Sequence, residues 1–489
     1  MSFVRLEFAL VLPLVLGVWL LLRERPRLAL AWLLGASLFF YGYGQRWVLP
    51  IILAYCLVDW LTGRWLERTP RRRLVLALGV GFNLAVLCFW KYTPLVVDTV
   101  ATMAGRSLNG LDDVPAGHWV VPMGISFYAF TGIAYMVDVY RRVAPAEPSL
   151  ARYALFTSFF PHLVAGPILR PREFLADLQP DVMPTRPLAG AEGAVLIARG
   201  FFKKTVLADS IALAIDPFFA HVSDASAAGV WALPPVYLYA LQIYLDCSGY
   251  TDIARGLGLW FGFRWPENFD APYLATSIQA FWRRWHMTLS RFLRDYLYIP
   301  LGGNRGGPGR VAASLMITML LGGLWHGAHW SFMLWGGLHG IFLIVHRGWR
   351  ATAVHARLAA LTGAPAVLWR WARVALTFNA VCLAWCFFRL THLPDSFACV
   401  RKWIDFDLDK AFVGDIADPA LWVMLVGHGV AALAARSATG AAPLPEVGAR
   451  MAARPFTRGL HWGGSLGVLA LAVLLAPGGR ARPFIYFQF

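Results

Sequence analysis

Charge is scarce in this sequence. Only 15% of its 489 residues are Asp, Glu, Lys or Arg, where a soluble domain carries about 25%. Acidic residues are the scarcer sign, 28 against 44 basic ones. Polar stretches are short, and 58% of the residues are hydrophobic. That composition excludes a disordered chain, a collagen-like repeat and a disulfide-stapled secreted module. The six cysteines form no framework: Cys56, Cys88, Cys247, Cys382, Cys386 and Cys399 mostly sit in apolar runs and read as small buried hydrophobes. Cys382 and Cys386 could share a helix face, but no second ligand pair completes a metal site. No Walker motif, GxSxG elbow, Rossmann fingerprint or HExxH occurs. Nucleotide-driven pumps, the common serine hydrolases and a zinc protease centre are thereby removed.

What fills the chain is apolar runs separated by basic clusters. About 20 apolar residues cross the hydrocarbon core as a helix. Runs of that kind lie at Phe8–Leu22, Leu28–Tyr43, Trp47–Leu61, Leu74–Trp90, Trp119–Val139, Val206–Ala220 and Trp231–Leu245. Others follow at Val311–Leu324, Phe332–Val345, Val374–Phe388, Leu421–Ala435 and Leu466–Ala476. The pattern predicts an all-α polytopic membrane protein with about 11–13 transmembrane helices, organised as one membrane-embedded domain over residues 1–489. The first run ends in Arg23, Glu24, Arg25 and Arg27 with no small-residue cleavage site, so it reads as a span and not a signal peptide.

The net charge of +16 is spread through short inter-span clusters, as the positive-inside rule expects of a membrane protein. No basic stripe with interleaved aromatics points to nucleic acid. The strongest cluster, Arg64 to Arg73, is expected in the cytoplasm, and the Asp405–Asp418 stretch outside. Tyr153–Leu169, broken by Pro161, Gly166 and Pro167, is expected to re-enter without crossing, buried in protein. Thr276–Leu297 mixes Arg283, Arg284, Arg291 and Arg294 with Phe281, Trp282, Trp285, Phe292 and Leu293. It reads as a basic amphipathic helix at the inner interface.

Three polar islands interrupt the apolar pattern. Ionisable residues are expensive at membrane depth, so each is a candidate site. The first is Trp325-His326-Gly327, with His329 and His339 downstream. His326 lies about 24 Å along a helix from Arg310, and an imidazole is the natural base for an alcohol proton. The second holds His286, within Phe281–Ser290. The third is Tyr244-Leu-Asp246-Cys-Ser248-Gly-Tyr250-Thr-Asp252. The glycine-rich Gly302–Gly307 follows no strand and reads as a turn. From these residues alone the chain is either an enzyme or a transporter that uses His326, Asp246 and Asp252 as a proton relay. A transporter would show inverted repeats, and none are visible.

Taken in order, the motifs resemble the membrane-bound O-acyltransferase family. They are Pro122–Tyr128, Phe159–Pro167, Asp246–Asp252, Asn268–Tyr273, Phe281–Ser290, Tyr298–Gly303 and Trp325–Gly327, a core spanning about residues 120–340. The bacterial branch that they resemble includes the alginate O-acetylation membrane protein, with the teichoic acid D-alanyl transfer protein more distant. The resemblance implies transfer of an acyl group from a thioester to a hydroxyl, with His326 and His286 at the catalytic positions. It implies acetyl-coenzyme A as donor substrate and no cofactor besides; no metal is expected, since no HExxH or other acidic ligand spacing accompanies the histidines. The expected setting is the bacterial cytoplasmic membrane. A periplasmic partner protein would pass the acetyl group on to an exopolysaccharide such as alginate. Substrate-contact candidates are Asp246, Ser248, Tyr250, Asp252, Asn268, Arg283, Arg284 and Trp325, with Arg283, Arg284 and Arg291 suited to donor phosphates.

The topology is directly measurable. Single cysteines placed in the Arg64–Arg73 and Asp405–Asp418 loops of a cysteine-free variant should react with an impermeant reagent from opposite sides of the membrane. Labelling of both from one side would break the alternation between them.

Overall fold

The computed structural model describes residues 3, 6–43, 45–105, 120–163, 166–224 and 232–404. Among them there are helices and loops and no strand, as hydrocarbon requires of a chain whose backbone must satisfy its own hydrogen bonds. Two compact units emerge: described residues up to 201 together with 249–266, and residues 202–248 together with 267–404. The expected crossings at 421–435 and 466–476 and the acidic stretch 405–418 lie outside the described residues.

The first unit holds α1 (Leu6–Leu22), α2 (Pro26–Gly42), α3 (Leu49–Arg68), α4 (Arg72–Met103), α5 (Ile125–Tyr140), α6 (Leu150–Ser158), α7 (Phe160–Leu163), α8 (Pro171–Phe174) and α9 (Gly190–Phe201). A buried carboxyl joins three of these helices. Asn83 Nδ2 of α4 donates to Asp59 Oδ1 of α3 at 2.6 Å, and the Tyr153 hydroxyl of α6 donates to Asp59 Oδ2 at 3.1 Å. The expected re-entrant stretch is cut into α6 and α7, and residues 153–163 are buried throughout. Broken backbone at this depth is therefore enclosed by protein.

The second unit holds α10 (Asp209–Ala220), most of α11 (Leu233–Trp260), α12 (Ile278–Trp282), α13 (Met287–Leu293), α14 (Gly307–His326), α15 (Trp330–Arg350), α16 (Ala353–Ala359), α17 (Gly363–Arg389) and α18 (Leu393–Ile404). The last turns of α11, from Gly249, belong to the first unit. Among the described residues of the two units, four helical stretches, 46–68, 72–103, 307–326 and 363–389, are long and apolar enough to cross a membrane. They expose large apolar side chains, with Trp65 of α3, Leu78 of α4 and Leu368 of α17 55%, 58% and 74% exposed. Such faces belong in lipid, not water.

Two expectations change in detail. The polar island at 244–252 does not separate spans, because α11 runs through it unbroken. The segment 276–297 is not one amphipathic helix. It is α12, a tight corner and α13, followed by a π-helical stretch at Arg294–Tyr298.

The α14–α15 hairpin carries the first polar island. Glycine lets the two backbones touch: a methyl group at 323 would fall on the Phe332 carbonyl oxygen, and one at 336 on that of Met319. Neither clash involves a flexible side-chain end, so the helices would have to separate. Gly323→Val and Gly336→Val should each cost about 1–3 kcal/mol by overpacking and lower the melting temperature of the purified protein. Gly337→Ala, which meets only ordinary contact with Leu320, should leave it unchanged.

Candidate active site

His326 is the last residue of α14, at the closed end of the hairpin, and is 5% exposed. Aromatic rings surround it: Trp325 at 4.7 Å, Trp335 of α15 at 4.9 Å and Phe388 of α17 at 4.9 Å between centroids, all edge-on. Trp335 stacks in turn on Trp385 of α17 at 5.7 Å. Contacts of this geometry fix ring orientation as well as bury area, so the imidazole is held with little rotational freedom.

His286 approaches the same wall. Its ring lies 5.9 Å from Trp325, edge-on, so one indole touches both histidines. His286 sits at the corner between α12 and α13 with φ +41° and ψ +57°. That left-handed conformation is costly for a non-glycine residue and persists only where neighbours impose it. Asn268 imposes it here. Its carbonyl oxygen accepts from Met287 N at 2.9 Å, and its side-chain Oδ1 accepts from Thr288 N at 3.0 Å and Thr288 Oγ1 at 2.8 Å. Asp270 N closes the other side on the Arg284 carbonyl at 2.9 Å. Nδ1 of His286 is buried with no hydrogen-bond partner among the described residues.

A cavity of about 760 Å³ opens beside this corner. Arg283, Arg291, Arg294, Arg347 and Arg350 line it, together with Trp282, Met287, Leu293, Asn304 and Met319. Arg347 and Arg350 come from the end of α15, and Arg283, Arg291 and Arg294 from the corner after α12, α13 and the π-helical stretch; Met319 lies about 10 Å along α14 from His326. The glycine-rich turn belongs to the rim. Asn304 accepts from the Tyr298 hydroxyl at 3.0 Å and from Arg347 at 3.1 Å. Gly302 and Gly306 take φ of +121° and +88°, which only glycine adopts without strain.

The remaining candidates separate. Arg283 and Arg291 line the large cavity, whereas Arg284 turns into a different one with Arg370 and Arg373. Asn268 positions the His286 corner through bonds within the protein. Asp246 and Asp252, six residues apart, point to different sides of α11, since six helical steps amount to about 240° of rotation. Lys204 meets Asp209 at 2.6 Å and Asp246 at 3.2 Å, all three buried. Arg199 makes a bidentate pair with Asp252 at 2.6 and 2.8 Å. Tyr250 packs on Phe3 at 6.0 Å. Ser248 Oγ is buried with no hydrogen-bond partner among the described residues. Sequence reasoning missed Trp335, Phe388, Asn304, Arg347 and Arg350. The i, i+3 spacing of Arg347 and Arg350, which puts both on one helix face, was the available signal.

The family model of MBOAT, the membrane-bound O-acyltransferase family, matches residues 116–391. The chain belongs to that family. It is 35% identical over 509 residues to the "Probable alginate O-acetylase AlgI" of Azotobacter vinelandii, covering 98% of both chains. It is 36% identical over 411 residues to the peptidoglycan O-acetyltransferase of Helicobacter pylori, covering 78% of this chain and 75% of the relative. The teichoic acid D-alanyltransferase of Streptococcus thermophilus is 30% identical over 285 residues, 54% of this chain and 68% of its own. Membership in MBOAT makes the chain a multi-pass membrane acyltransferase and decides against the transporter reading.

The ion pairs yield a discriminating test. Asp252→Ala would leave the Arg199 guanidinium without its bidentate partner, a loss of about 3–5 kcal/mol for a buried pair. A marked fall in melting temperature is expected. A raised donor or acceptor KM with unchanged melting temperature would instead make Asp252 a substrate contact.

Proposed function

We propose that this MBOAT enzyme takes an acetyl group from acetyl-coenzyme A at the cytoplasmic face of a bacterial inner membrane and delivers it outward. Its destination is the hydroxyls of an exopolysaccharide such as alginate, reached through a periplasmic partner protein. The observation that carries the reading is the arginine-lined cavity beside the His286 corner, with His286 and His326 both against the Trp325 indole. Arginine forks suit the phosphates of coenzyme A, and Met287, next to His286, lines the same cavity. The names of the relatives, a probable alginate O-acetylase and a peptidoglycan O-acetyltransferase, support acetyl as the group and a polymer as the destination.

In this reading His326 accepts the proton of the acceptor hydroxyl as its oxygen attacks the thioester carbonyl carbon. A carbon–oxygen bond forms, the carbon–sulfur bond breaks, and the thiolate leaves as a thiol by taking the proton from the imidazolium. Proton removal by a positioned base contributes about 10²–10⁴-fold. Holding donor and acceptor in line supplies much of the remainder. His286, fixed in its strained corner, donates toward the developing oxyanion or orients the donor. Asn268 keeps it there. The aromatic wall excludes water, which strengthens each of these polar interactions.

His326→Ala should abolish acetyl transfer in membranes that contain the partner, while insertion and melting temperature persist. A variant that keeps more than a tenth of the wild-type rate would defeat the assignment. His286→Ala should be severely impaired in turnover, and an effect confined to donor KM would make its role binding. The purified chain alone should consume acetyl-coenzyme A slowly and leave long polysaccharide unmodified; efficient acetylation without a second protein would remove the partner from the scheme.

A further inference from the structure

A second basic cavity, of about 460 Å³, lies outside the arrangement assigned to the donor. Leu274, Thr276, Ala280, Arg284, Arg370 and Arg373 line it. Its arginines come from two separate stretches of chain, the corner after α12 and the first half of α17. None of its lining residues is acidic. Arg373 is already oriented: its Nε donates to the Thr276 carbonyl at 3.1 Å and its Nη2 to Thr276 Oγ1 at 3.2 Å. Neither Arg284 nor Arg370 makes an ion pair among the described residues. Three guanidinium groups around one hollow repel each other, and an anion between them turns that cost into attraction.

The surroundings say what kind of anion. Leu274, on the cavity wall, is 37% exposed, and α17 turns Val367, Leu368, Trp371 and Leu376 outward at 54–74% exposure. Tryptophan at such a boundary marks the level of lipid headgroups. A basic pocket opening beside a lipid-facing helix suits a molecule with a phosphate head and an apolar tail. Arg283 and Arg284 illustrate the division, since adjacent residues of one corner serve different cavities.

We propose that Arg284, Arg370 and Arg373 form a binding site for the phosphate of an anionic phospholipid, separate from the site of the acyl donor. The full-length protein, purified in a neutral detergent, would be titrated with phosphatidylglycerol, phosphatidylcholine, inorganic phosphate and coenzyme A. Bound lipid would be counted by native mass spectrometry and melting temperature followed in parallel. Phosphatidylglycerol should bind saturably and raise the melting temperature, while phosphatidylcholine and inorganic phosphate should do neither. Arg370→Gln together with Arg373→Gln should weaken phosphatidylglycerol binding at least tenfold, and Arg284→Gln alone should weaken it measurably should the double variant fail to fold. Undiminished lipid binding in these variants would overturn the site. Equal protection by inorganic phosphate would overturn the lipid as ligand, and displacement of the lipid by coenzyme A would return the cavity to the donor. Because the cavity is tested by lipid retention, failure here leaves the acetyl-transfer reading intact, and the reverse also holds.

Discussion

Hydrocarbon offers no water to relieve an unpaired polar group, and that constraint organises this molecule. Its buried charges meet partners inside the protein: Asp252 with Arg199, Lys204 with Asp209 and Asp246, Glu147 with Arg152. Asp59 is held by an amide and a phenol. The pairs Asp252–Arg199 and Lys204–Asp246 join distant stretches of chain, so the same bond that neutralises a charge also sets how the elements meet. Desolvation makes such pairs weak sources of net stability but severe points of failure when one partner is removed. They act as registration marks for helices whose apolar surfaces alone would slide.

The candidate site holds some of the buried polar atoms that stay without a hydrogen-bond partner among the described residues. His286 keeps a buried ring nitrogen without a partner among the described residues, in a backbone conformation that costs energy to hold. Asn268 and the bond from Asp270 to Arg284 supply the restraint. Strain stored at one corner and balanced by a buried amide is what a site needing a fixed imidazole would use. The aromatic rings around His326 contribute differently, by shape, since they have few polar atoms with which to orient it.

Much of the fold was legible from period and charge. The apolar runs expected between residues 8 and 388 fall on helices over most of their described length, Trp119–Val139 only from Ile125, because span length and hydropathy are set by the bilayer and not by tertiary detail. The break in Tyr153–Leu169 was readable from proline. The histidines were readable because ionisable residues at membrane depth are rare. What escaped was anything decided by tertiary geometry. Seven residues of one helix, Asp246 to Asp252, looked like one polar island but face different ways. Arg283 and Arg284 looked like a pair and part company at a corner. Phe388, far along the sequence, carries no sign that it will lie against His326. The kink at His286 was hidden as well, since nothing in Trp-His-Met announces a left-handed turn.

The backbone contact between α14 and α15 has a kinetic meaning. Two helices pressed together at Gly323 and Gly336 cannot hinge apart at modest cost, so the tip that bears His326 is a fixed post. Passage to it must then be granted by what can turn quickly. Side chains such as Trp325 and Phe388 can change rotamer far faster than packed helices can shift relative to each other. Any opening beside His326 would then be a matter of ring rotation on a rigid frame, small enough to keep a continuous column of water, and the protons it conducts, from crossing there.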